Sequence, residues 1–348
     1  MTASRISVVI PNFNRETLVG DTISNVLAQT LPPHEVIVVD DGSTDRSVEV
    51  IRSFGSKVML IQQPNQGAGT ARNAGLRVAT GEFVQFQDSD DLYSLNKLEV
   101  QAGLLGQTGA DVAFSPWVKL KINGLTVGIE DQVLQQQMPP DRLSLPCWWL
   151  RGWSTVFQSL LFRRSFLGRV GVYRTDLLPS EDTEFFFRLL TSSPRVAFSA
   201  EALTLYRVHS VNKITQDEGT SRSRRVIDWA RCLKYMVERW DACGLQTDLL
   251  TRSIFLAGAR KHLRYLMAFP EAPADLVGYL SNHVAGLPAA WLAAVEWGLR
   301  LAEQGRLRRR GARWMAAYQA SPATEHQLHM IQDLGFEIAE FLPPRKSL

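Results

Sequence analysis

Cysteine, excess charge and long apolar runs are all scarce in this sequence of 348 residues, and each shortage excludes a class of protein. The three cysteines are odd in number and fit no metal-ligand spacing, which favours a reducing compartment over a disulfide scaffold. A net charge of +3 is too small to indicate a nucleic-acid partner. No apolar run approaches the roughly 20 residues of a membrane-spanning helix, and no secretory signal precedes the first strand. We therefore expect a cytoplasmic protein without membrane spans.

What is present is an alternation of short apolar strands and amphipathic helices in the first third of the chain. Runs of β-branched and aromatic residues at 6–10, 35–39, 58–61 and 81–86 predict strands, and apolar residues recur at helical spacing between them. Such alternation is typical of an α/β fold with a mostly parallel sheet flanked by helices. In such sheets ligands bind beyond the carboxyl ends of the strands.

Polar residues cluster where these predicted strands end. They are the segment from Pro11 to Asn14, the pair Asp40 and Asp41, the glycine-rich turn before Arg72, and the acidic run from Asp88 to Asp91. Parallel topology would gather all four at one edge of the sheet. Carboxylates at the mouth of a buried strand are costly unless a positive charge lies nearby, and a hard divalent cation takes oxygen ligands. The pattern predicts a site for a metal-bound phosphate compound.

Two other interpretations of these segments stay open at this point. The acidic run is also compatible with a solvated turn in which Asp91 or Ser94 caps a helix beginning near Leu95. Strand-helix units also build dinucleotide-binding domains, but the first turn here lacks the G-x-G-x-x-G pattern of that class.

Two further segments in the middle of the chain carry candidate functional residues. Ser180 is placed to cap a helix, with Glu181 and Asp182 in its first turn, where the helix dipole favours acids. One of these carboxylates would equally serve as a general base. His209 follows an alternating strand-like run, and a lone histidine is more often structural than a metal ligand.

The last third of the chain predicts helices from about residue 221 to its end. Its dense basic run at 306–314 is typical of a solvated face. The same run would also hold anionic lipid, which gives an alternative expectation of peripheral contact with the inner face of the membrane.

Four motifs together resemble the family 2 glycosyltransferases of the GT-A fold. They are the segments 8–14 (VVIPNFN), 38–45 (VVDDGSTD), 65–75 (NQG followed by ARNAG) and 81–91 (GEF through DSDD). Their order and spacing match over residues 4 to about 105, and a looser match around Ser180, Glu181 and Asp182 continues to about residue 210. The resemblance implies a GT-A domain at 1–215, with a nucleotide-binding half at 1–105 and an acceptor-side half at 106–215, followed by a helical region at 216–348.

The resemblance also implies roles for individual residues. A nucleotide sugar would contact Pro11, Asn12, Phe13, Asn14, Asp41, Arg72, Asp88, Ser89 and Asp90. Within that set, Pro11, Phe13 and Asp41 would line the base pocket, and Phe13 stands where the family usually has tyrosine. Arg72 would lie near the base and diphosphate, or else pair with Asp41. Asp88 would face the ribose.

The implied cofactor is Mn²⁺ or Mg²⁺, bound by Asp90 and, in some GT-A enzymes, by a histidine at the place of His209. Asp182 resembles the catalytic base of the family, with Glu181 as its substitute. The implied reaction is an inverting transfer from a nucleoside-diphosphate sugar, preferably a UDP-sugar, to a carbohydrate, lipid-linked or protein hydroxyl. Surface polysaccharide or glycoconjugate synthesis is the expected setting.

One departure from the family narrows this expectation. Processive synthases carry a Gln-x-x-Arg-Trp motif, whereas Arg310 stands three places before Arg313 here, which predicts a non-processive enzyme. Two alternatives are a catalytically silent sugar-nucleotide-binding scaffold and a nucleotidyltransferase. The second would need a glycine-rich loop with a following lysine near the first strand, which this sequence lacks.

Overall fold

A seven-stranded main sheet forms the centre of the protein in the computed structural model, which describes residues 4–123, 126–130, 132–139, 141, 143–151, 153, 155–208, 222–284, 288, 295 and 320–342. Its strands are β1 (Ile6–Asn12), β2 (Glu35–Asp40), β3 (Met59–Gln62), β4 (Phe83–Phe86), β6 (Val112–Phe114), β10 (Leu160–Arg163) and β11 (Val196–Phe198). Their order is β11-β6-β10-β4-β1-β2-β3. The pairs among β3, β2, β1 and β4 are parallel, whereas β10 runs antiparallel to both neighbours. The predicted mostly parallel sheet is confirmed.

Both faces of the main sheet are buried at β1, β2 and β4, which explains why these strands are rich in apolar residues. Val9 and Val39 point to one side, into a core shared with Phe86 and Phe166. Their neighbours in sequence, such as Val38, point to the other side into a second core. Helices therefore cover both faces, as the alternation of strands and helices predicts.

The helices of this part of the chain connect the strands in sequence order. They are α1 (Val19–Leu27), α2 (Ser47–Arg52), α3 (Ala68–Val78), α4 (Lys97–Thr108), α5 (Leu145–Leu150), α6 (Arg164–Val170) and α7 (Glu181–Leu190). Short 3₁₀ turns lie at Gly55–Lys57 and Phe157–Ser159. Helix α3 packs on β1 and β2, so the residues at its N-terminal end lie beside the carboxyl ends of those strands.

A second sheet contains strands from widely separated parts of the chain. They are β5 (Leu92–Tyr93), β7 (Trp117–Asn123), β8 (Thr126–Glu130), β9 (Gln132–Leu134), β12 (Thr204–Arg207), β13 (Ala320–Pro322) and β14 (Glu337–Leu342). Strands β7 and β8 pair in antiparallel orientation. Strand β13 pairs with β9 and β14 with β8, so the end of the chain completes this sheet.

The C-terminal region begins as predicted and then departs from the prediction. Helices α8 (Arg222–Cys243), α9 (Leu249–Leu266) and α10 (Ala274–Val284) pack against α7 around a third core. The expectation of helix to the end of the chain is wrong at β13 and β14, which flank α11 (Glu325–Gln332). These two segments are extended because they pair with β9 and β8 of the second sheet. His209 and the basic run at 306–314 lie outside the described residues.

Hydropathy separates these helices from membrane spans. Among the helices within the described ranges, none combines the length and apolar character that crossing a membrane requires.

Close packing of α3 on the main sheet generates a test of the fold. A Cβ at Gly75 would clash with Val9 Cγ1 and lie 3.3 Å from Val39 Cγ2. We expect Gly75→Ala to lower the free energy of unfolding by roughly 1–3 kcal/mol, measured by urea denaturation. Gly103→Ala is the matched control in α4, where an added Cβ meets nothing within 4 Å. The control should be stabilised by about 0.5–1 kcal/mol. A Gly75→Ala protein as stable as wild type would contradict the packing.

Candidate active site

The first predicted segment, at the end of β1, is fixed by hydrogen bonds to the loop after β2. Asn12 Nδ2 donates to Asp40 Oδ1 at 2.9 Å, and Ser43 Oγ donates to the same oxygen at 2.5 Å. Asn14 adopts φ +50° and accepts a bond from the Thr44 amide at 2.8 Å. Pro11 is buried and Phe13 is half-buried. Asn12 and Asn14 therefore hold two loops together at the rim where the base of a nucleotide is expected.

Asp41 is buried and holds the glycine-rich turn that precedes α3. Its carboxylate accepts bonds from the Gln66 amide at 3.0 Å, the Gly67 amide at 2.7 Å and the Gln63 side chain at 2.7 Å. Gly67 needs φ +88°, a conformation that other residues rarely adopt. The alternative in which Arg72 pairs with Asp41 is wrong, because the guanidinium of Arg72 binds two other acids.

Arg72 bridges the acidic run after β4 to the start of α7. Its Nη2 donates to Asp88 Oδ1 and its Nη1 to Asp182 Oδ1, each at 2.8 Å. The side chain is only 4% exposed, and its guanidinium carbon lies 5.3 Å from the ring centre of Tyr173. The two acids raise its pKa well above the usual value, although burial acts in the opposite direction as the largest single effect. One buried cation thereby joins residues that are 94 positions apart in sequence (182 − 88).

The acidic run is held by arginines rather than exposed as a solvated turn. Asp90 Oδ2 accepts a bond from Arg15 Nε at 2.9 Å. Asp91 is buried and accepts bonds from the Arg207 amide at 2.7 Å and from the Gln158 side chain. Arg207 also donates from its guanidinium to the Asp90 carbonyl.

The interpretation of this run as a helix cap is wrong. Helix α4 begins at Lys97 and its preceding residue makes no side-chain capping bond. Ser94 Oγ instead donates to Asn96 Oδ1 at 2.8 Å. Ser89, the remaining member of the run, accepts a bond from Thr22 Oγ1 through its carbonyl at 3.0 Å.

Arg15 and Arg207 were not among the predicted site residues. A signal for such residues exists in the sequence, because several buried carboxylates at one edge require cations nearby. Arg15 directly follows the first rim segment, and Arg207 lies in β12, which pairs with the strand β5 that begins just after Asp91. The sequence does not show which of the chain's arginines reach that edge, because their partners lie on other elements.

The two candidate bases at the start of α7 differ in environment. Asp182 is 45% exposed and holds its bond to Arg72, whereas Glu181 is 7% exposed and its Oε2 lacks a hydrogen-bond partner among the described residues. Burial, followed by repulsion from Asp182, raises the pKa of Glu181 to about 7. Ser180 occupies the N-cap position but makes no side-chain capping bond, so that part of the prediction is wrong. Of the two acids, Asp182 is the one a solute can reach.

A cavity of about 620 Å³ brings the two ends of the Arg72 bridge together. Asp88 and Asp182 both line it, with Gln158, Thr155 and Tyr206 close to them. Burial, then repulsion from the three acids of the run, raises the pKa of Tyr206 to about 12, so its hydroxyl stays protonated at neutral pH. Such a cavity is large enough for a small organic ligand.

The acidic run from Asp88 to Asp91 is the candidate site for a divalent cation. No group of three or more His, Cys, Asp or Glu side chains is arranged to hold a metal within the described residues, which exclude His209. Burial raises the pKa of Asp88 and Asp91, and repulsion from Asp90 raises both further. Crowded carboxylates of this kind attract a cation, and Mg²⁺ is often held by one or two carboxylates together with substrate phosphates. The residues present fit an ion that shares its ligands with a diphosphate.

Comparison with known proteins finds a family model that is similar to the first half of the chain. The family model described as "Glycosyl transferase family 2" matches residues 7–171. The uncharacterized glycosyltransferase RT0329 of Rickettsia typhi is 30% identical over 209 residues, which cover 59% of this chain and 64% of that protein. YibD of Escherichia coli, also named an uncharacterized glycosyltransferase, is 28% identical over 229 residues, covering 60% and 63%. The chain thus spans slightly less than two thirds of these relatives.

Solved structures extend the likeness to most of the chain. TarS 1-349 of S. aureus, solved in complex with UDP-GlcNAc, aligns with a TM-score of 0.60 at 17% identity, over 88% of this chain and 92% of that chain. The mannosyltransferase PcManGT of Pyrobaculum calidifontis, in complex with GDP-Man and Mn²⁺, gives a TM-score of 0.50 at 18% identity, covering 96% and 86%. The fold is that of the GT-A glycosyltransferases.

Glu181 provides a test of the electrostatics at the start of α7. Its pKa rises from 4.5 to about 7 on folding, so the folded state keeps a proton that the unfolded state loses as pH rises through this window. This group therefore makes the wild type progressively less stable between those pH values. Glu181→Gln removes this dependence, and its stability relative to wild type should grow by roughly 2–4 kcal/mol from pH 4.5 to pH 8.

Urea denaturation at several pH values measures this difference. Glu49→Gln, at an exposed glutamate of α2, is the control and should show no comparable growth. A constant difference between Glu181→Gln and wild type across the pH range would contradict the buried environment of Glu181.

Proposed function

We propose that this protein transfers a sugar from a nucleoside-diphosphate sugar to an acceptor hydroxyl, and the match of residues 7–171 to the family model for glycosyl transferase family 2 supports this proposal. The observation that carries the proposal is the bridge made by Arg72. It places Asp88, on the side expected to bind the donor, and Asp182, the candidate base, on the wall of one cavity. A transferase needs these two functions within reach of the same sugar carbon.

The proposed donor site lies along the carboxyl ends of β1, β2 and β4. Pro11 and Phe13 would contact the base, and Asp41 would shape that pocket through its bonds to the Gln66 and Gly67 amides. Asp88 would face the ribose. A UDP-sugar is the favoured donor, supported by the UDP-GlcNAc complex of TarS, while PcManGT binds GDP-Man.

The proposed metal site is centred on Asp90, with His209 as a second proposed ligand and Mn²⁺ or Mg²⁺ as the ion. When bound, such an ion would neutralise charge on the diphosphate and make it a better leaving group. Arg15 orients the Asp90 carboxylate through its bond at 2.9 Å. The Mn²⁺ complex of PcManGT supports this part of the proposal.

Asp182 would act as the general base. It would take the proton from the acceptor hydroxyl while that oxygen bonds to the anomeric carbon, and the bond from this carbon to the diphosphate oxygen would break. A single displacement of this kind inverts the anomeric centre. Arg72 orients Asp182 by holding its Oδ1, and Asp182 lines the cavity. Glu181 is too buried for this role.

The biological setting of the reaction is part of the same proposal. Surface polysaccharide or glycoconjugate synthesis consumes nucleotide sugars and hydroxyl acceptors, which are the reactants proposed here. Peripheral membrane contact through the basic run at 306–314 would bring the protein to lipid-linked acceptors.

A thermal-shift panel tests the donor and metal sites. We expect UDP to raise the melting temperature when Mn²⁺ or Mg²⁺ is present, more than GDP, CDP or dTDP do. A ligand at 100 times its Kd contributes about 2.7 kcal/mol to the folded state. Asp90→Ala should abolish the metal-dependent part of the shift, and Asp275→Ala in α10 should preserve it. The absence of any nucleotide shift with wild-type protein would overturn the proposed donor site.

Turnover of the donor tests the assignment of the base. Asp182→Asn should lower kcat by about 10²–10⁴-fold, since general-base catalysis contributes on that scale. Its nucleotide-induced thermal shift should persist, because the amide still fits the site. Asp275→Asn serves as the control and should turn over like wild type. An Asp182→Asn protein that retains wild-type kcat would remove the base assignment and favour a different base.

A further inference from the structure

The cavity that Asp88 and Asp182 line continues between the α/β part of the chain and the C-terminal helices. One wall carries Trp149 and Phe186, whose ring centres lie 6.0 Å apart. Residues of α8 and α9 line another part of it. The cavity therefore extends beyond Asp88 and Asp182, and residues of other elements line its remaining part.

The chemistry of the lining changes along this length. Residues with hydrogen-bonding side chains, such as Gln158 and Tyr206, accompany the two aspartates. The described lining residues on α8 and α9 are Trp229, Leu233, Met236, Ile254, Phe255, Gly258, Ala259 and His262. Only Trp229 and His262 in this set carry strong hydrogen-bonding groups. Carbohydrate-binding walls need many more such groups, because every sugar hydroxyl that is desolvated must find a partner.

Trp229 and His262, which both line the cavity, form a hydrogen bond with each other. Trp229 Nε1 donates to His262 Nε2 at 2.6 Å, and an indole nitrogen can only donate. The imidazole must therefore be neutral, and burial lowers its pKa to about 4 in agreement with that bond. None of the described lining residues on α8 and α9 is therefore charged at neutral pH.

The helical wall is anchored to the catalytic part of the chain. The Ser180 amide, one residue before α7, donates to Asp228 Oδ2 at 3.3 Å. Trp149 packs on Phe187 with ring centres 5.7 Å apart, and Phe187 belongs to the core that α8 and α9 share. The distance from Asp182 to the apolar wall is therefore set by packed residues.

We infer that this apolar half of the cavity is the acceptor subsite, and that the acceptor carries its reacting hydroxyl next to an apolar body. The inference rests on the proposed function, because it assigns the acceptor of that reaction. The hydroxyl would lie at Asp182, while an alkyl or aromatic group contacts the apolar lining residues of α8 and α9. Burying such a group contributes about 0.8 kcal/mol per methylene.

Gly258 offers a substitution that narrows this subsite alone. It lines the cavity, and an added Cβ meets nothing within 4 Å, so Gly258→Leu adds side-chain volume there from an unobstructed Cβ. Gly278→Leu is the matched control in α10, where an added Cβ is equally unobstructed and the residue does not line the cavity. Both changes replace a helical glycine with a good helix former, which favours folding.

Titration calorimetry with three probes tests the inference. Methyl, hexyl and phenyl β-D-glucopyranoside present the same sugar with different apolar groups. We expect the hexyl or the phenyl compound to bind wild type at least about tenfold more tightly than the methyl compound, and their ranking distinguishes an alkyl from an aromatic acceptor. Gly258→Leu should lose this preference, and Gly278→Leu should keep it. Equal affinity for all three probes, or equal loss in both variants, would overturn the inference.

Nucleotide binding separates failure of this inference from failure of the proposed function. Thermal shifts with UDP and Mn²⁺ are measured on the same wild-type and Gly258→Leu proteins. A nucleotide shift without any preference among the three glucosides refutes the apolar subsite and leaves the proposed function standing. The absence of a nucleotide shift refutes the proposed function itself, whatever the glucosides do.

Discussion

The bridge from Arg72 to Asp88 and Asp182 is the interaction on which the candidate site depends. A fully buried guanidinium is costly to desolvate, and two carboxylates at 2.8 Å offset that cost. The guanidinium lies over the aromatic rings of Tyr173 and Phe157, with its central carbon 5.3 and 6.0 Å from the ring centres. Removing the cation would leave two acids facing each other without compensation. The geometry between the donor loop and the candidate base is therefore set by one side chain.

Charge balance explains the rest of the rim. The acidic run after β4 carries more negative charge than a buried turn tolerates, and Arg15, Arg72 and Arg207 each bind a different part of it. Even so, repulsion among the acids raises the pKa of Asp88 and of Asp91 in addition to the larger effect of burial. Because the acids still repel one another, the rim favours the binding of a further cation. This is a physical reason to expect that nucleotide and divalent ion bind together.

The placement of the four rim segments could be predicted from sequence because topology decides it. Once strands and helices alternate, parallel pairing brings Asn12, Asp41 and Asp88 to one edge, and the structure has that arrangement. The partners of Arg72 could not be predicted, since a long side chain on α3 reaches Asp41, Asp88 or Asp182 according to packing that no local pattern encodes. The same limit applies to β13 and β14, which are short and extended only because β9 and β8 offer free edges to pair with. The apolar acceptor wall depends likewise on how α8 and α9 pack, and their amphipathic pattern alone indicates only that they are helices.

A crystal structure of the protein with UDP-GlcNAc and Mn²⁺ would show whether the Arg72 bridge joins the donor site to the base. We expect the anomeric carbon to enter the cavity and face the Asp182 carboxylate, while Arg72 keeps its bonds to both Asp88 and Asp182. A sugar that lies outside the cavity would contradict it. So would an Arg72 side chain that leaves Asp182 to bind the diphosphate, because the candidate base would then have lost the group that positions it.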